Sequence, residues 1–360
     1  MGITPITDYF VGEKMIQYSP IKPTINFRMN TKEQLYQPED LRAELQKQIA
    51  EKENIRKELD QMKLFFNELE STNNHLISAT WREREMKKKL TDTLAELKKT
   101  KELVEAQNKR IAESINYARK IQLAINATED DICAELKNSF VYYRPKDVIS
   151  GDFPWHYRRN NYSFVAAVDC TGHGVPGAMM SMIGNLLLND IINDAVIPEP
   201  GDILLRLHSS VVRTLKQDQP DSNSSDGMDI GLCRIDLETG ELKYAGAHRP
   251  LFHMKNGSIE VISGDKFPIG GIQYKGKNAY TTHTIHLAKG ESVFIFSDGY
   301  TDQVGGAEGK KIMTKGLRQI IENNAGRSMK ELKTVLEKEF ESWKDNKKQL
   351  DDVLVIGLGM

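Results

Sequence analysis

Glycine and proline are absent from one long stretch of this sequence and frequent after it. No glycine occurs between Gly12 and Gly151, and no proline occurs between Pro38 and Pro145. Because these two residues interrupt regular secondary structure, such a stretch predicts continuous helix. The glycines that follow Gly151 are typical of tight turns and close backbone contacts. The sequence therefore predicts a helical region followed by a mixed α/β globule.

The apolar residues of the helical region follow a heptad pattern that slips between Trp81 and Glu85 and then resumes. The heptad positions are Ile55, Leu59, Met62, Phe66, Leu69, Leu76, Met86, Leu90, Leu94, Leu97, Val104, Ile111, Ile115, Ala118 and Ile125. Alternating steps of three and four residues indicate a coiled coil. We predict that residues 38–126 form a parallel homodimer. The alternatives are a long amphipathic helix packed on its own globular domain and a helix that folds back at the slip.

Three polar residues, Lys101, Asn108 and Gln122, occupy seam positions in the second part of this pattern. Polar seam residues in coiled coils commonly set register or partner choice at a cost in stability. Residues 1–37 have no clear period and are predicted to form an irregular N-terminal arm. The remaining residues, 127–360, are predicted to form the globular domain.

Composition excludes several classes of function. The 49 basic and 51 acidic side chains nearly cancel, and no basic tract stands out, so we expect no nucleic-acid partner. Three cysteines without metal-type spacing indicate reduced thiols in a cytoplasmic protein. The N-terminus lacks the layout of a signal peptide. We therefore expect a cytoplasmic location and no transmembrane segment.

Short apolar runs separated by turn signals characterise the globular region. They predict strands at residues 161–168, 228–235, 242–245, 251–255, 258–262, 292–296 and 353–358, and helices at 178–192 and 328–343. Many strands with a few helices between them indicate sheets covered by helices in layers. The expected class is α/β in the broad sense, of the α+β type.

Aspartates recur at four places, each at the end of a predicted strand or beside a tight turn: Asp152, Asp169, Asp298 and the adjacent pair Asp351 and Asp352. A single aspartate at a strand end is commonly only a turn former. Four carboxylates at one point need opposite charge, and hard divalent cations are the natural partners of oxygen ligands. Two such ions can activate water and support an in-line displacement at phosphorus. The set therefore predicts a dinuclear metal site.

Six segments carry a family resemblance: residues 144–153 (RPKDVISGDF), 168–178 (VDCTGHGVPGA), 227–230 (GMDI), 244–250 (YAGAHRP), 296–302 (FSDGYTD) and 351–357 (DDVLVIG). In this order they resemble the motifs of the SpoIIE branch of the PPM (type 2C) phosphatases. Residues 114–125 (SINYARKIQLAI) also resemble the helical linker that precedes such domains in bacterial regulators. The resemblance covers about residues 140–360.

The resemblance implies a β-sandwich flanked by helices, with two Mn²⁺ or Mg²⁺ ions per active site. It implies that Asp169 bridges both ions and that the Cys170 carbonyl binds one of them. Asp298 and Asp351 would complete the other site, and Asp152 would hold metal-bound water or touch a metal directly. The nucleophile would be water activated by the two metals.

Several further residues have two candidate roles each. Asp352 competes with its neighbour Asp351 for the role of ligand. His173 could donate a proton to the leaving group or only orient its loop, and Asp229 could hydrogen bond within a strand or bind metal. Arg144 could receive the substrate phosphate or form a surface salt bridge. Pro154 follows the first motif and predicts a strand edge or a bulge.

The resemblance implies a protein serine/threonine phosphatase that acts on a phosphorylated bacterial signalling partner. An anti-sigma-factor antagonist of the STAS type is the implied substrate, and an upstream sensor or regulator acting through the helical linker is expected. A coiled-coil scaffold whose phosphatase-like domain only binds partners is the rival from another class. A metal-dependent phosphodiesterase or nuclease is disfavoured by the lack of a basic stripe.

Overall fold

The computed structural model describes residues 38–193, 198–219, 225–271 and 279–360. The arm predicted for residues 1–37 lies outside the described residues. The chain divides into two units, Met1–Leu97 and Lys98–Met360. In the first unit, the described residues form helix, and all of their side chains are exposed.

The helices of the described residues are α1 (Pro38–Ile125), α2 (Glu129–Glu135), α3 (Gly174–Ile192), α4 (Pro200–Thr214), α5 (Gly299–Asp302), α6 (Met313–Asn323) and α7 (Met329–Lys344). The predicted long helix is confirmed as the 88 residues of α1, which continue through the heptad slip. Its pairing in a coiled coil stays a prediction. Capping boxes start α2, at Thr128 and Asp131, and α7, at Ser328 and Glu331. Each box satisfies amide groups that the first helical turn leaves unpaired.

The strands are β1 (Ser139–Arg144), β2 (Phe153–Arg159), β3 (Tyr162–Cys170), β4 (Gly227–Asp236), β5 (Glu241–Ala247), β6 (Leu251–Lys255), β7 (Ser258–Ile262), β8 (Ile269–Gly270), β9 (His283–His286), β10 (Ser292–Phe296), β11 (Val304–Gly305), β12 (Lys310–Lys311) and β13 (Val353–Gly359). One sheet has the order β1-β13-β10-β6-β7, and a second has the order β2-β3-β4-β5-β9 with β8 paired to β4. Strands β11 and β12 form a separate ribbon.

The two sheets pack face to face with helices outside them, which confirms the predicted layers. Alternate residues of β3 show why: Val165 and Ala167 belong to the core between the sheets, whereas Phe164 and Ala166 belong to the core under the helices. Successive side chains of a strand point to opposite faces, so a sheet covered on both sides is apolar throughout. Helices α3 and α4 cover the second sheet, and α6 and α7 cover the first.

Helix α3 is the one described helix that is long and apolar enough to cross a membrane by length and composition. Half of that window is buried within the fold, and Leu188 and Ile192 are fully buried in the core beside the second sheet. Its apolar composition is thus accounted for by packing on a sheet.

Pro154 lies in β2, which is an edge strand of the second sheet. Proline has no amide hydrogen to donate to a neighbouring strand, so it is tolerated at a sheet edge. Helix α4 is absent from the predicted elements, although its buried residues Ile203, Leu204, Leu207 and Val211 follow a helical period. The buried residues of α4 lie against the second sheet, beside α3.

Candidate active site

One cavity of about 240 Å³ is lined by carboxylates from both sheets. Asp169 and Asp229 come from β3 and β4 of the second sheet. Asp298 follows β10 and Asp351 precedes β13, both in the first sheet. The fold therefore brings together Asp169, Asp298 and Asp351, three aspartates that are far apart in the sequence, and it adds Asp229 to them.

The loop between β3 and α3 is tight because of its glycines. Gly172 and Gly174 have φ angles of +86° and +65°, in the left-handed region that favours glycine. A Cβ atom added to Gly177 would lie 2.2 Å from the carbonyl oxygen of Gly172, and one added to Gly151 would lie 2.6 Å from the same oxygen. The glycines of the first two motifs thus pack against each other. This contact holds the segment before Asp152 beside the loop that follows β3.

Asp352 is buried, and both of its carboxylate oxygens accept backbone hydrogen bonds. The amide of Lys146 donates to Oδ1 at 2.7 Å, and the amide of Gly151 donates to Oδ2 at 2.8 Å. Asp351, in contrast, is exposed and lines the cavity. The two neighbouring aspartates therefore differ in surroundings: Asp352 anchors the loop between β1 and β2, and Asp351 faces the cavity.

Asp152 is 3 % exposed and directly precedes β2. Its Oδ2 atom is buried and has no hydrogen-bond partner. Burial, reinforced by the negative charge of Asp169, raises the pKa of Asp152 well above its usual range. A buried carboxylate oxygen without a partner is costly to maintain, so it marks a place where a cation or a proton is needed.

The pKa of Asp169 is raised to about 7, chiefly by burial. The positive charge of Arg249 opposes this increase, while the negative charges of Asp298 and Asp229 add to it. The amide of Asp298 donates to Oδ2 of Asp169 at 3.4 Å. The carboxylate thus lies between two acidic neighbours and one basic neighbour.

Arg249 is the central cation of the cavity. Its Nη2 atom lies 3.2 Å from Oδ2 of Asp169, 2.7 Å from Oδ2 of Asp229 and 2.9 Å from Oδ2 of Asp298. Sequence reasoning missed this residue. The available signal was a basic residue in a turn between two predicted strands, but its distance from the aspartates depends on the order of strands within the sheet.

Two histidines stand near these groups. Nδ1 of His248 lies 3.1 Å from Oδ1 of Asp229, which gives Asp229 hydrogen-bonding partners on both oxygens. Nδ1 of His173 lies 3.2 Å from Oδ2 of Asp147, and the His173 side chain is 57 % exposed at the cavity. His173 is therefore oriented by a carboxylate and remains open to solvent.

The thiol of Cys170 is unsuited to nucleophilic chemistry. Its side chain is 4 % exposed within the core under α3. Burial, together with the charge of Asp169, raises the pKa of the thiol well above its usual range. Since the thiolate is the nucleophilic form, Cys170 is inert at neutral pH.

Arg144 lies apart from the aspartates. Its guanidinium pairs with Glu341 and stands 5.8 Å from the ring centroid of Phe340. It lines a different cavity of about 560 Å³, together with Gln122 and Tyr142. The structure thus gives Arg144 the salt bridge and not the phosphate contact.

The donor set suits a hard divalent cation by its chemistry. The cavity offers carboxylate oxygens, and Asp152, which does not line the cavity but feels the charge of Asp169, has a buried oxygen without a partner. Oxygen donors of this kind are the ones that Mg²⁺ and Mn²⁺ take. In the described ranges, however, no group of three or more His, Cys, Asp or Glu side chains is arranged to hold one metal ion. The carboxylates of Asp169, Asp229 and Asp298 share the guanidinium of Arg249 instead.

A family model described as Stage II sporulation protein E (SpoIIE) matches residues 159–360. The SiaA-PP2C domain of Pseudomonas aeruginosa is 26 % identical with a TM-score of 0.64, over 71 % of this chain and 99 % of that one. No curated protein matches the chain.

Two more distant structures are similar as well. The PP2C phosphatase domain of SpoIIE from Bacillus subtilis, with a fragment of its regulatory domain, is 16 % identical with a TM-score of 0.49, over 62 % of this chain and 63 % of that one. The RsbU and RsbW domains of a Mycobacterium tuberculosis protein are 17 % identical with a TM-score of 0.47, over 61 % and 59 %.

Proposed function

The chain belongs to the SpoIIE family and is a PP2C-type protein phosphatase, and from this premise we propose that it hydrolyses phosphoserine or phosphothreonine on a protein partner in a metal-dependent reaction. One observation carries the proposal: aspartates from both sheets meet in one small cavity at the ends of their strands. Such a cavity can bind a phosphoryl group through cations.

Two Mn²⁺ or Mg²⁺ ions, when bound, supply Lewis acidity that activates water and offsets the charge of the phosphoryl group. In this proposal Asp169, the Cys170 carbonyl, Asp298 and Asp351 would hold the ions, with Asp169 shared between them. Asp152 would hold water beside the ions or contact one of them. We assign the ligand role to Asp351 and not to Asp352, because Asp351 lines the cavity whereas Asp352 is buried outside its lining and anchors two backbone amides.

Water as the nucleophile is supported by the state of Cys170. This cysteine follows the central aspartate, yet its buried thiol has a raised pKa and does not ionise at neutral pH. His173 is a suitable group to protonate the leaving serine or threonine oxygen, since Asp147 contacts one nitrogen of its exposed ring. A carboxylate neighbour of this kind orients the ring and fixes which of its nitrogens faces the solvent.

The substrate that we propose is a phosphorylated bacterial signalling protein, an anti-sigma-factor antagonist of the STAS type. The cavity of about 240 Å³ can admit a phosphorylated side chain but not a folded domain. The partner must therefore dock outside the cavity and present an exposed phosphoserine or phosphothreonine. The STAS class is the one to which the resemblance to the SpoIIE branch points.

We propose that α1 is a helical linker that dimerises and controls the catalytic domain. Apolar heptad residues remain exposed along the helix, among them Leu59 (50 %), Leu69 (49 %) and Leu94 (56 %). An apolar stripe of this length needs a partner surface of the same length, and a second α1 supplies it. Near its C-terminus, Gln122 is buried and hydrogen bonds to Ser150 and Ser181. Ser150 is two residues before Asp152, so this contact connects the linker to the site.

The test is hydrolysis of an aryl phosphate and of a phosphoserine peptide by the full chain with Mn²⁺, with Mg²⁺ and with a chelator. We expect turnover that requires metal and that falls at least a hundredfold in Asp169→Asn. Binding of metal without turnover of either substrate would instead favour the scaffold function. A matched control is Asp190→Asn, which changes the same side chain at an α3 position outside the cavity.

The partner can be identified with the same variant. Asp169→Asn should retain a phosphorylated partner without hydrolysing it, so proteins enriched by this variant over the wild type are candidate substrates. Dephosphorylation of the enriched protein by the wild type would support the assignment. A STAS-type protein that is neither enriched nor dephosphorylated would contradict the proposed substrate class.

A further inference from the structure

Arg249 stands in a position that the backbone defines closely. It follows β5 in a turn where His248 has a φ of +57°, and the amide of Arg249 donates to the carbonyl of Ala247 at 2.7 Å. The hydroxyl of Tyr244 donates to the Arg249 carbonyl at 2.5 Å. A Cβ atom added to Gly246 would lie 2.3 Å from that carbonyl oxygen. These contacts hold the base of the Arg249 side chain beside the cavity.

The guanidinium makes an unusual set of contacts. A single nitrogen, Nη2, contacts carboxylates from three separate segments, while the buried Nε has no hydrogen-bond partner. Arginine binds a carboxylate most favourably through two parallel hydrogen bonds. Arg249 forgoes that geometry and supplies positive charge at the point where Asp169, Asp229 and Asp298 converge.

Two of these three carboxylates, Asp169 and Asp298, are the ones that the proposed function assigns to the metal ions. Their Oδ2 atoms lie 3.2 Å and 2.9 Å from Nη2. A divalent ion binds a carboxylate oxygen at about 2.0 to 2.6 Å. A guanidinium nitrogen on the same oxygens is close enough to such an ion to repel it, and partial burial strengthens the repulsion.

We propose that Arg249 is a resident counter-cation that competes with divalent ions for Asp169 and Asp298 and thereby sets the metal affinity of the site. This inference rests on the proposed metal-dependent function. The contact between Arg249 and Asp229, a residue not assigned to a metal, holds the guanidinium in place when the guanidinium releases Asp169 and Asp298. Metal loading is therefore an exchange of one cation for another.

The inference is tested by the binding of Mn²⁺ to the full chain, measured by calorimetry on wild type, Arg249→Met and Arg249→Lys. We expect Arg249→Met to bind Mn²⁺ at least tenfold more tightly than the wild type, and Arg249→Lys, which keeps the charge, to stay within about threefold of it. Arg318→Met is the matched control, since it removes a half-buried arginine of α6 that pairs with Glu322. It should bind Mn²⁺ as the wild type does.

A second measurement follows the wild type and does not need a stable Arg249→Met variant. The signal followed is the Nε–Hε NMR signal of Arg249 in the wild type, assigned by its loss in Arg249→Lys. It should shift on addition of Mg²⁺, and the midpoint of the shift should equal the midpoint of Mg²⁺ binding measured by calorimetry. An unshifted signal at saturation, or affinity in Arg249→Met equal to or weaker than in the wild type, overturns the inference. If the wild type binds no divalent ion, or Asp169→Asn binds it equally well, the proposed metal site fails instead.

Discussion

Asp169 and Asp229 lie directly opposite each other in the antiparallel pair of β3 and β4, and one nitrogen of Arg249 contacts both carboxylates. Like charges in facing positions destabilise a strand pair. The guanidinium offsets this repulsion, so the fold keeps the two acids side by side where β3 ends and β4 begins. Unfavourable local arrangements of this kind, here two like charges in facing positions, are expected at functional sites.

The raised pKa of Asp169 predicts that the protein in a chelator loses stability as the pH rises. The folded pKa of about 7 exceeds the ordinary value of 3.8, so the folded state binds this proton more tightly than the unfolded state. The stabilisation of the folded state by this proton is fully present below about pH 4 and is lost as the pH rises through about 7. Its upper limit is a few kcal/mol in the free energy of unfolding. Urea unfolding at pH 5 and pH 7.5 measures it. Asp169→Asn should reduce the difference in the free energy of unfolding between the two pH values. An unchanged difference would contradict the raised pKa of Asp169.

Asp351 and Asp352 should respond differently to the same change. Asp352→Asn removes one of two acceptors for the amides of Lys146 and Gly151, so we expect a loss of about 1–3 kcal/mol in the free energy of unfolding. Asp351→Asn should leave stability within about 0.5 kcal/mol, since this residue is exposed. It should nevertheless weaken Mn²⁺ binding at least tenfold. Each variant is measured by urea unfolding in chelator and by calorimetry, and equal metal affinity in Asp351→Asn and wild type would exclude Asp351 as a ligand.

Gln122→Ala should uncouple the end of α1 from the first motif. The side-chain amide of Gln122 donates to the Ser150 carbonyl at 2.7 Å and to Ser181 Oγ at 2.8 Å, and its oxygen accepts from the Ser150 amide at 3.2 Å. Leaving these buried groups unpaired costs about 1–3 kcal/mol. We expect the free energy of unfolding, measured in urea, to fall by this amount, and we expect kcat to change. Gln107→Ala, at an exposed position of the same helix, is the control. Unaltered kcat in a destabilised Gln122→Ala protein would limit the contact to a structural role.

Ile115→Asp should disrupt pairing of the helical linker. A buried charge on the seam of a coiled coil is unfavourable, whereas a charge on the outer face is tolerated. We therefore expect a lower dimer fraction by analytical ultracentrifugation and a severalfold change in turnover. Lys99→Asp, at the outermost heptad position, should alter neither quantity. An Ile115→Asp protein that is equally dimeric and equally active would refute control through the linker.

Much of the fold follows from local patterns in the sequence. The predicted strands at 251–255, 258–262 and 292–296 coincide with β6, β7 and β10, and the others differ at their ends by a few residues. These elements are recognisable because each alternates or repeats over its own length. Helix α4 shows the limit, since its period becomes meaningful only when a sheet is available to cover it.

The roles of individual polar residues were harder to predict. Gln122 occupies a seam position and was expected to set register or partner choice, yet its side chain is buried against Ser150 and Ser181 of the same chain. Arg144 lies in a motif, and the sequence left phosphate binding and a surface salt bridge open; in the structure it pairs with Glu341. In both cases the deciding neighbour comes from a distant segment.

The sequence by itself determined the long helix, the layered class of the globular domain and the position of each aspartate at a strand end. These features depend on residues close together in the chain, because backbone preference and hydrophobic period act locally. Only the tertiary structure decided that Asp352 anchors the amide of Gly151, 201 residues away, and that Arg249 joins the carboxylates. Such contacts depend on strand order and register, which emerge when distant segments pack together. The sequence therefore determined which acids were available, and the packing of the two sheets decided which of them face the same cavity.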